Sequence, residues 1–574
     1  MFGPLFQREL VIAPKRTKIY FARTVYALLF LGVAATAWLL ISGSQQIRDI
    51  GDLARFGSRL FGLLAPLQQT LILFMSAIFC AGSVCQEKDR KTLELLLLTH
   101  LSNFELTVGK LAASLVHVVS LPLASLPILA SCLIFGGVDL EQVLRVFAVT
   151  LVTAFTAGTF GTVIAFRCEK TFLTLSLTLL TLVGWILLGE SARFGYSIPG
   201  LDGFLTGLGL SSPLAASAAI SPWQAILSAA NPLCSVSLVP YYIVCIAVSV
   251  LAMAPTVLLV RVWNPPRKIK INAAVPVDSS APVDIHAENQ KFRPVWDNPI
   301  LWRETRTAAY GRRLFLYLMG YRLLGCLCLY GLVEAIGGET LSAQLALWLP
   351  LCLLSLILIN TQSVTAITSE RDGKTLDLIL SSDLRPSEFV WGKLLGSVWN
   401  TIDMFAFPTF AVGCMSYFGS LSFEFAFYLI VGYWVLAIFC ATLGIHTGMI
   451  YANSRQAIGT SLGTAFFLFV GVAVCLRMML TFSGSFQAQF QPFLALIVGG
   501  GAALYLALGA RNPSPAIALA SFGCPCATFY ALVALLMNYS LGVFLVVSVT
   551  YGFAMAAMLI PAIYEFDIVS SKGD

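Results

Sequence analysis

Charge is what this sequence has least of. Only 11% of its 574 residues are Asp, Glu, Lys or Arg, while 58% are hydrophobic. A soluble chain of this size needs far more charge to cover its surface, so the soluble globular class is excluded. Histidine is scarce too, with four residues, and no cysteine–histidine set has metal-ligand spacing. No metal site is expected. Gly109-Lys110 and Gly392-Lys393 lack both the upstream glycine and the following Ser or Thr of a Walker A loop, so they cannot cradle phosphates. The apolar runs hold no Ser–His or two-Asp set of the kind that does covalent or acid–base chemistry, which argues against an enzyme. A cleavable leader is missing as well. Residues 2–23 carry Arg8, Glu9, Lys15, Arg16, Lys18 and Arg23 before the first long apolar run, the pattern of a retained segment. Most of the 14 cysteines (Cys80, Cys132, Cys245, Cys326, Cys328, Cys352, Cys414, Cys440, Cys475) lie inside apolar runs, where a thiol acts as a small apolar group. Cys234, Cys524 and Cys526 fall in segments read as external loops. The sequence leaves a disulfide among them open, with buried thiols the simpler reading.

Long uncharged apolar runs are what the chain does have. A spanning helix takes about 20 such residues. Runs at 24–42, 60–83, 109–136, 143–167, 171–189, 239–262, 314–336, 341–368, 392–418, 423–450, 457–482 and 539–563 predict an all-α polytopic membrane protein with about 12 transmembrane helices. The stretch 263–296, with Pro265, Pro266, Arg267, Lys268, Lys270 and Pro282, has no apolar periodicity and reads as a cytoplasmic linker. It divides a first six-span half, 1–262, from a second, 297–574. The segment 487–509 is apolar enough to span. Its Gly499-Gly500-Gly501 disfavours a stable helix, so the expectation is a re-entrant or interfacial external segment, matched by 200–235 in the first half. With the N-terminus inside, Lys and Arg concentrate on the cytoplasmic side. Arg48, Arg55, Arg59, Arg145, Arg193 and Arg511 fall outside, and Arg322 and Arg477 within spans. The positive-inside rule therefore places both termini in the cytoplasm.

The strongest signal is an internal repeat. Residues 87–111 align without a gap on 370–394, an offset of 283, and twelve of the 25 pairs are identical, among them Glu87/Glu370, Asp89/Asp372, Lys91/Lys374, Thr92/Thr375, Leu93/Leu376, Leu97/Leu380, Leu101/Leu384, Glu105/Glu388, Gly109/Gly392 and Lys110/Lys393. A second echo pairs Pro4-Leu5-Phe6-Gln7-Arg8-Glu9 with Pro299-Ile300-Leu301-Trp302-Arg303-Glu304 at an offset of 295. The surplus of the first half fits a charged external loop around Arg48–Arg59. Six spans is an even number, so both halves share one orientation, related by an axis along the membrane normal.

Leu93, Leu96, Leu97 and Leu101 form one helical stripe, reproduced by Leu376, Ile379, Leu380 and Leu384. Each copy predicts a short cytoplasmic amphipathic helix between the second and third spans. Ser102 with Glu105 makes a capping box before the next helix, and Pro386 suits its first turn in the second copy. The fixed charges Glu87, Asp89 and Lys91 exceed what interfacial anchoring requires and point to a docking surface for another protein. The leading segments read as short interfacial helices. Asn298 is the cap, Pro299 the first helical residue, and Trp302 sits at headgroup level.

A Pro-apolar-apolar-Trp-Arg-Glu helix, two spans, then Glu-Arg-Asp-Gly-Lys-Thr-Leu-Asp-Leu-Ile-Leu-Ser-Ser running into Gly-Lys-Leu resembles the membrane subunits (permeases) of type-2 ATP-binding-cassette (ABC) transporters, mostly exporters. The resemblance covers both halves and implies two six-span units, usually separate chains, fused in one. It implies that the leading helices are elbow helices. The helices at 87–105 and 370–388 would be coupling helices docking on two copies of a separate ABC-type ATPase. The implied docking residues are Glu87, Asp89, Lys91, Thr92, Leu93, Leu97, Leu101, Glu105, Glu370, Asp372, Lys374, Thr375, Leu376, Leu380, Leu384 and Glu388. ATP and Mg would be bound by the partner and no cofactor by this chain. The implied setting is the cytoplasmic (inner) membrane, with a lipid bilayer and no nucleic acid as partner. Arg90 stands where the second copy has Gly373, and Gln7 where it has Trp302, so the two sites differ or the first has drifted.

Ionisable and polar groups inside spans are pathway candidates. Asp403 and Arg322 lie at similar mid-bilayer depth and suit a structural ion pair. His117 and Asn400 match at the repeat offset. The rival reading is a secondary transporter of the major facilitator type driven by an ion gradient. That class also has six plus six spans but lacks the elbows and the long amphipathic helix.

Overall fold

The computed structural model describes residues 6–8, 11, 17–43, 49–169, 171–191, 212–231, 236–264, 296–306, 313–336, 341–373, 375–376, 379, 382, 384–472, 474, 486–509, 513–536 and 539–571. Among them the chain is all-helical, and ten helices are long and apolar enough to cross a membrane. The protein is thus a polytopic all-α membrane protein. The linker 263–296 lies almost wholly outside the described residues, as do Lys374, Leu380, Cys234 and Arg477.

The first part of the chain runs α1 (Thr17–Gly43), α2 (Ile50–Asp89), α3 (Thr92–Leu97), α4 (Asn103–Phe135), α5 (Leu140–Arg167), α6 (Thr171–Ser191), α7 (Pro213–Ile220), α8 (Pro222–Ala230) and α9 (Val239–Trp263). At 40 residues α2 is about 60 Å long, twice the hydrocarbon thickness, so it projects beyond the membrane. Arg55 and Arg59 lie in its first turns and not in a loop. α7 and α8 have eight and nine residues, too short to cross. Each starts with Pro behind a Ser cap. α8 packs on α2 and α5, so the pair dips back into the bundle.

The second part runs α10 (Pro299–Arg306), α11 (Arg313–Ile336), α12 (Leu341–Asp372), α13 (Pro386–Asn400), α14 (Ile402–Tyr417), α15 (Phe423–Ile450), α16 (Ser454–Phe466, continued by a π-helical turn Phe467–Gly471), α17 (Phe486–Leu508), α18 (Pro515–Leu536) and α19 (Ser540–Ser571). The ninth span of the sequence reading breaks at Thr401 into α13 and α14.

The re-entrant reading of 487–509 is corrected. α17 ends at Leu508, whose carbonyl oxygen lies 3.2 Å from His446 Nε2, while the Tyr451 hydroxyl donates to Ala507 O at 2.6 Å. His446 and Tyr451 stand at the same end of the bundle as the ends of α2 and α12. α17 therefore traverses the bundle, and α18, packed on both α17 and α19, returns. Among the described residues α18 is long and apolar enough to cross a membrane, where the sequence reading placed an external loop. The three glycines that argued against a helix serve close packing. A side chain on Gly500 would strike the ring of Phe467, and one on Gly501 that of Phe522. In lipid, small residues let helices approach rather than unwinding them. Cys524 and Cys526 lie inside α18, not in a loop, and both are free thiols, so they form no disulfide with each other.

The two parts meet along a seam. α6 packs on α11 and α12. One core cluster joins Ala81, Val84 and Cys85 of α2 to Val364 of α12 and to Ala457, Ile458 and Leu462 of α16. The outward faces of α1 and α9 expose Phe21, Leu28, Ile243, Leu251 and Leu258, as lipid contact requires.

Candidate functional site

The repeated segments build the same hydrogen-bond diagram twice. At the end of α2 the chain must leave the membrane with its charges satisfied. Lys88 Nζ donates to Phe166 O and Cys168 O, both at 2.8 Å, capping the carbonyl end of α5. Asp89 Oδ2 accepts from Thr171 Oγ1 at 2.9 Å at the start of α6, and Glu87 pairs with Lys110 of α4. At the end of α12, Arg371 donates to Gly448 O at 2.6 Å and to Tyr451 O, capping α15. Asp372 Oδ2 accepts from Ser454 Oγ at 2.6 Å at the start of α16, and Glu370 pairs with Lys393 of α13 at 2.5 Å. The pairings repeat at the offset of 283, with Met449 O, 3.4 Å from Arg371, the counterpart of Phe166 O. So does the crossing of the spans, since Gly161 lies against Ala77 and Gly444 against Asn360. Each copy is a clasp that fastens the exit of one span to three others.

The clasp gives intramolecular partners to charges that the sequence offered for docking. Glu87, Asp89, Glu370 and Asp372 have partners within the bundle. Glu105 accepts from Ser102 N at 3.1 Å and Glu388 from Arg385 N at 3.3 Å, so both serve as helix caps. The leucine stripe also faces inward. Leu93 and Leu97 are buried, Leu96 packs beside them, Leu101 is half-buried, and Leu376, Ile379 and Leu384 pack on the second core. The face turned to water carries Arg90, Lys91, Thr92, Leu95, Leu98 and His100, with Leu95 65% and Leu98 71% exposed. In the second copy Thr375, Ser382 and Arg385 are exposed. Leu95 and Leu98 gave no sequence signal, because the stripe defines the amphipathic face and an outward leucine breaks the pattern.

The second clasp continues into α10. Lys393, 1% exposed, donates to Glu304 at 2.6 Å, to Glu370 and to Ala366 O at 3.3 Å, using all three ammonium hydrogens. Arg303 also pairs with Glu370. α10 lies flush on α13 because Gly392 and Gly396 leave room; a side chain there would strike Ile300 and Glu304. Asn298 caps α10 through Leu301 N at 2.9 Å, as predicted, and donates to Glu388 O at 2.8 Å. The first-copy residue corresponding to Glu304 is Glu9, outside the described residues.

Of the four pathway candidates, Arg322 and Asp403 form an ion pair, with Nε and Nη2 both 2.9 Å from Oδ2. Arg322 is half exposed. Asn400 is the last residue of α13, and His117 lies midway along α4. The four are not brought together; Arg322 lies on α11, which packs on α6 where the two parts meet. Sequence reasoning missed amides such as Gln69 on α2 and Asn360 and Gln362 on α12, all nearly fully buried. Uncharged amides inside an apolar run give little signal. Among the described residues no group of His, Cys, Asp or Glu could hold a metal ion.

The model of the ABC-2 family transporter protein matches residues 58–217, from α2 through α7 and therefore across the whole first clasp. No curated protein and no solved structure matches the chain. Over these residues the chain is similar to ABC-2 type permeases, and with its multi-pass bundle it is consistent with a membrane transporter component.

Proposed function

We propose that this chain is the membrane permease of an ATP-driven exporter in the cytoplasmic membrane, with both termini cytoplasmic and hydrolysis performed by a separate ATPase. In this reading 1–262 and 297–574 are the two permease units, and two ATPase copies dock on the turns at 87–105 and 370–388. ATP and Mg belong to those partners. The observation that carries the proposal is the duplicated clasp. A helix held only by lipid would slide when pushed. The end of α2, from which α3 follows, is instead fastened through Lys88, Asp89 and Glu87 to α5, α6 and α4, and the second copy is fastened likewise. Displacing the turn displaces four spans together, which is what converting closure of two ATPase subunits into bundle tilting demands. Docking then falls on the outward face, around Lys91, Leu95 and Leu98, while the inward residues set its stiffness.

The test is reconstitution of the chain with its copurifying ATPase. Cargo movement should require nucleotide hydrolysis and persist when ion gradients are collapsed. Movement driven by an ion gradient in the absence of any nucleotide-hydrolysing subunit would establish the secondary-transporter alternative.

A further inference from the structure

α12 carries two buried amides that face opposite ways. Asn360 is bonded at both ends. Its Nδ2 donates to Cys440 O of α15 at 3.0 Å, and its Oδ1 accepts from Ser461 of α16 at 2.9 Å. Gln362, two residues on, lies about 200° round the helix. Its neighbours one turn back, Leu358 and Ile359, belong to the apolar cluster that joins α12 to Leu173, Leu179 and Leu180 of α6 and to Tyr317 and Tyr321 of α11. α6 comes from the first part, α11 and α12 from the second. Gln362 is thus planted in the contact between the parts.

There it is 1% exposed, and among the described residues neither its Oε1 nor its Nε2 has a hydrogen-bond partner. The hydroxyls beside it have no hydrogen to give. Thr361 donates to Ile357 O, Ser363 to Ile359 O and Thr365 to Thr361 O, all carbonyls of α12 itself. A buried amide in this condition costs stability. The architecture does not demand it. At the repeat offset of 283 the corresponding residue is Phe79, which packs on the apolar core of the first part. The cost falls on one arrangement, the one in which α6 lies against α11 and α12. Moving α6 away lets water reach the amide and lifts the cost.

We propose that Gln362 is a destabiliser built into the closed contact between the two parts, which keeps α6 poised to part from α11 and α12. Because α2 has Phe79 in its place, the device exists once per chain. Its service to transport rests on the permease reading; the poise itself does not.

The test uses the full chain in lipid nanodiscs. Leu179→Cys, at a position of α6 only 2% exposed, reports the contact through its rate of modification by N-ethylmaleimide, read at that residue by mass spectrometry. Adding Gln362→Leu should slow that rate about tenfold, the weight of one unpaired polar group, and raise the unfolding midpoint. Leu129→Cys, buried in the core of the first part, should keep its rate, which separates a local device from general stabilisation. Gln362→Met repeats the test without a branched side chain. An unchanged rate at Leu179→Cys, equal slowing at Leu129→Cys, or a lower midpoint in both variants overturns the proposal. Failure of both variants to fold overturns it as well, since the amide is then satisfied in the closed form. A chain that tightens as expected yet moves cargo on an ion gradient keeps the device and loses only the permease reading.

Discussion

The two parts of this molecule use one hydrogen-bond plan at the membrane exit and different ones within the bilayer. At the exit, acid, base and acid occur in order at the end of α2 and again at the end of α12, each with partners on the same three neighbouring helices. Inside the bilayer the first part places Gln68 and Gln69 high on α2, bonded to Thr150 and Thr153 of α5. The second places Asn360 lower on α12, bonded to Cys440 O and Ser461. It also adds the pair α17 and α18, where the first, among the described residues, has the short α7 and α8. What is duplicated is the attachment of the turn between α2 and α4 and of its counterpart between α12 and α13. What has diverged is the polar network inside the apolar part of the bundle, so the two are separable in this fold.

The sharpest way to break this comparison is an all-or-none topology measurement. Single cysteines at Leu95→Cys in the first clasp and Pro513→Cys between α17 and α18 should react with an impermeant maleimide from the same side of the membrane. Labelling from opposite sides would restore a re-entrant α17 and make the two parts equal in passes.

Next in size is the buried lysine. Lys393→Met strands Glu304 and Glu370 against each other and should cost about 3–5 kcal/mol, read as loss of the folded fraction on heating. Among the described residues Lys110 has a single ion-pair partner, Glu87, so Lys110→Met should cost clearly less. Equal losses would mean that α10 adds nothing to the second clasp.

A smaller and more selective effect is expected on the outward faces. Leu98→Glu and Ser382→Glu lie on exposed positions and should leave folding intact. Each should lower the copurifying ATPase from two copies toward one, whereas Leu97→Ala, buried, should cost about 2–3 kcal/mol of stability instead. A drop for one copy alone would show that docking is asymmetric. The smallest change is expected at Arg322 and Asp403. Exchanging them, Arg322→Asp with Asp403→Arg, should preserve the pair and transport, since the pair holds α11 to α14. A loss of transport in the exchanged protein with folding intact would move the pair into the pathway.

The sequence by itself determined the membrane class, the six passes of the first part, the duplication at an offset of 283 and the helix caps at Ser102, Asn298 and Pro386. Each rests on local composition or on spacing within a few turns, which the chain states directly. The tertiary structure alone decided that Glu87, Asp89, Glu370 and Asp372 find partners on neighbouring helices, that α17 and α18 pack together, and that Gln69 keeps one oxygen unpartnered. Those outcomes depend on residues often 80 or more positions away, such as Thr171 for Asp89 and Thr153 for Gln69. In lipid an unpaired buried polar group is costly, and only the packed bundle determines which partner is in reach.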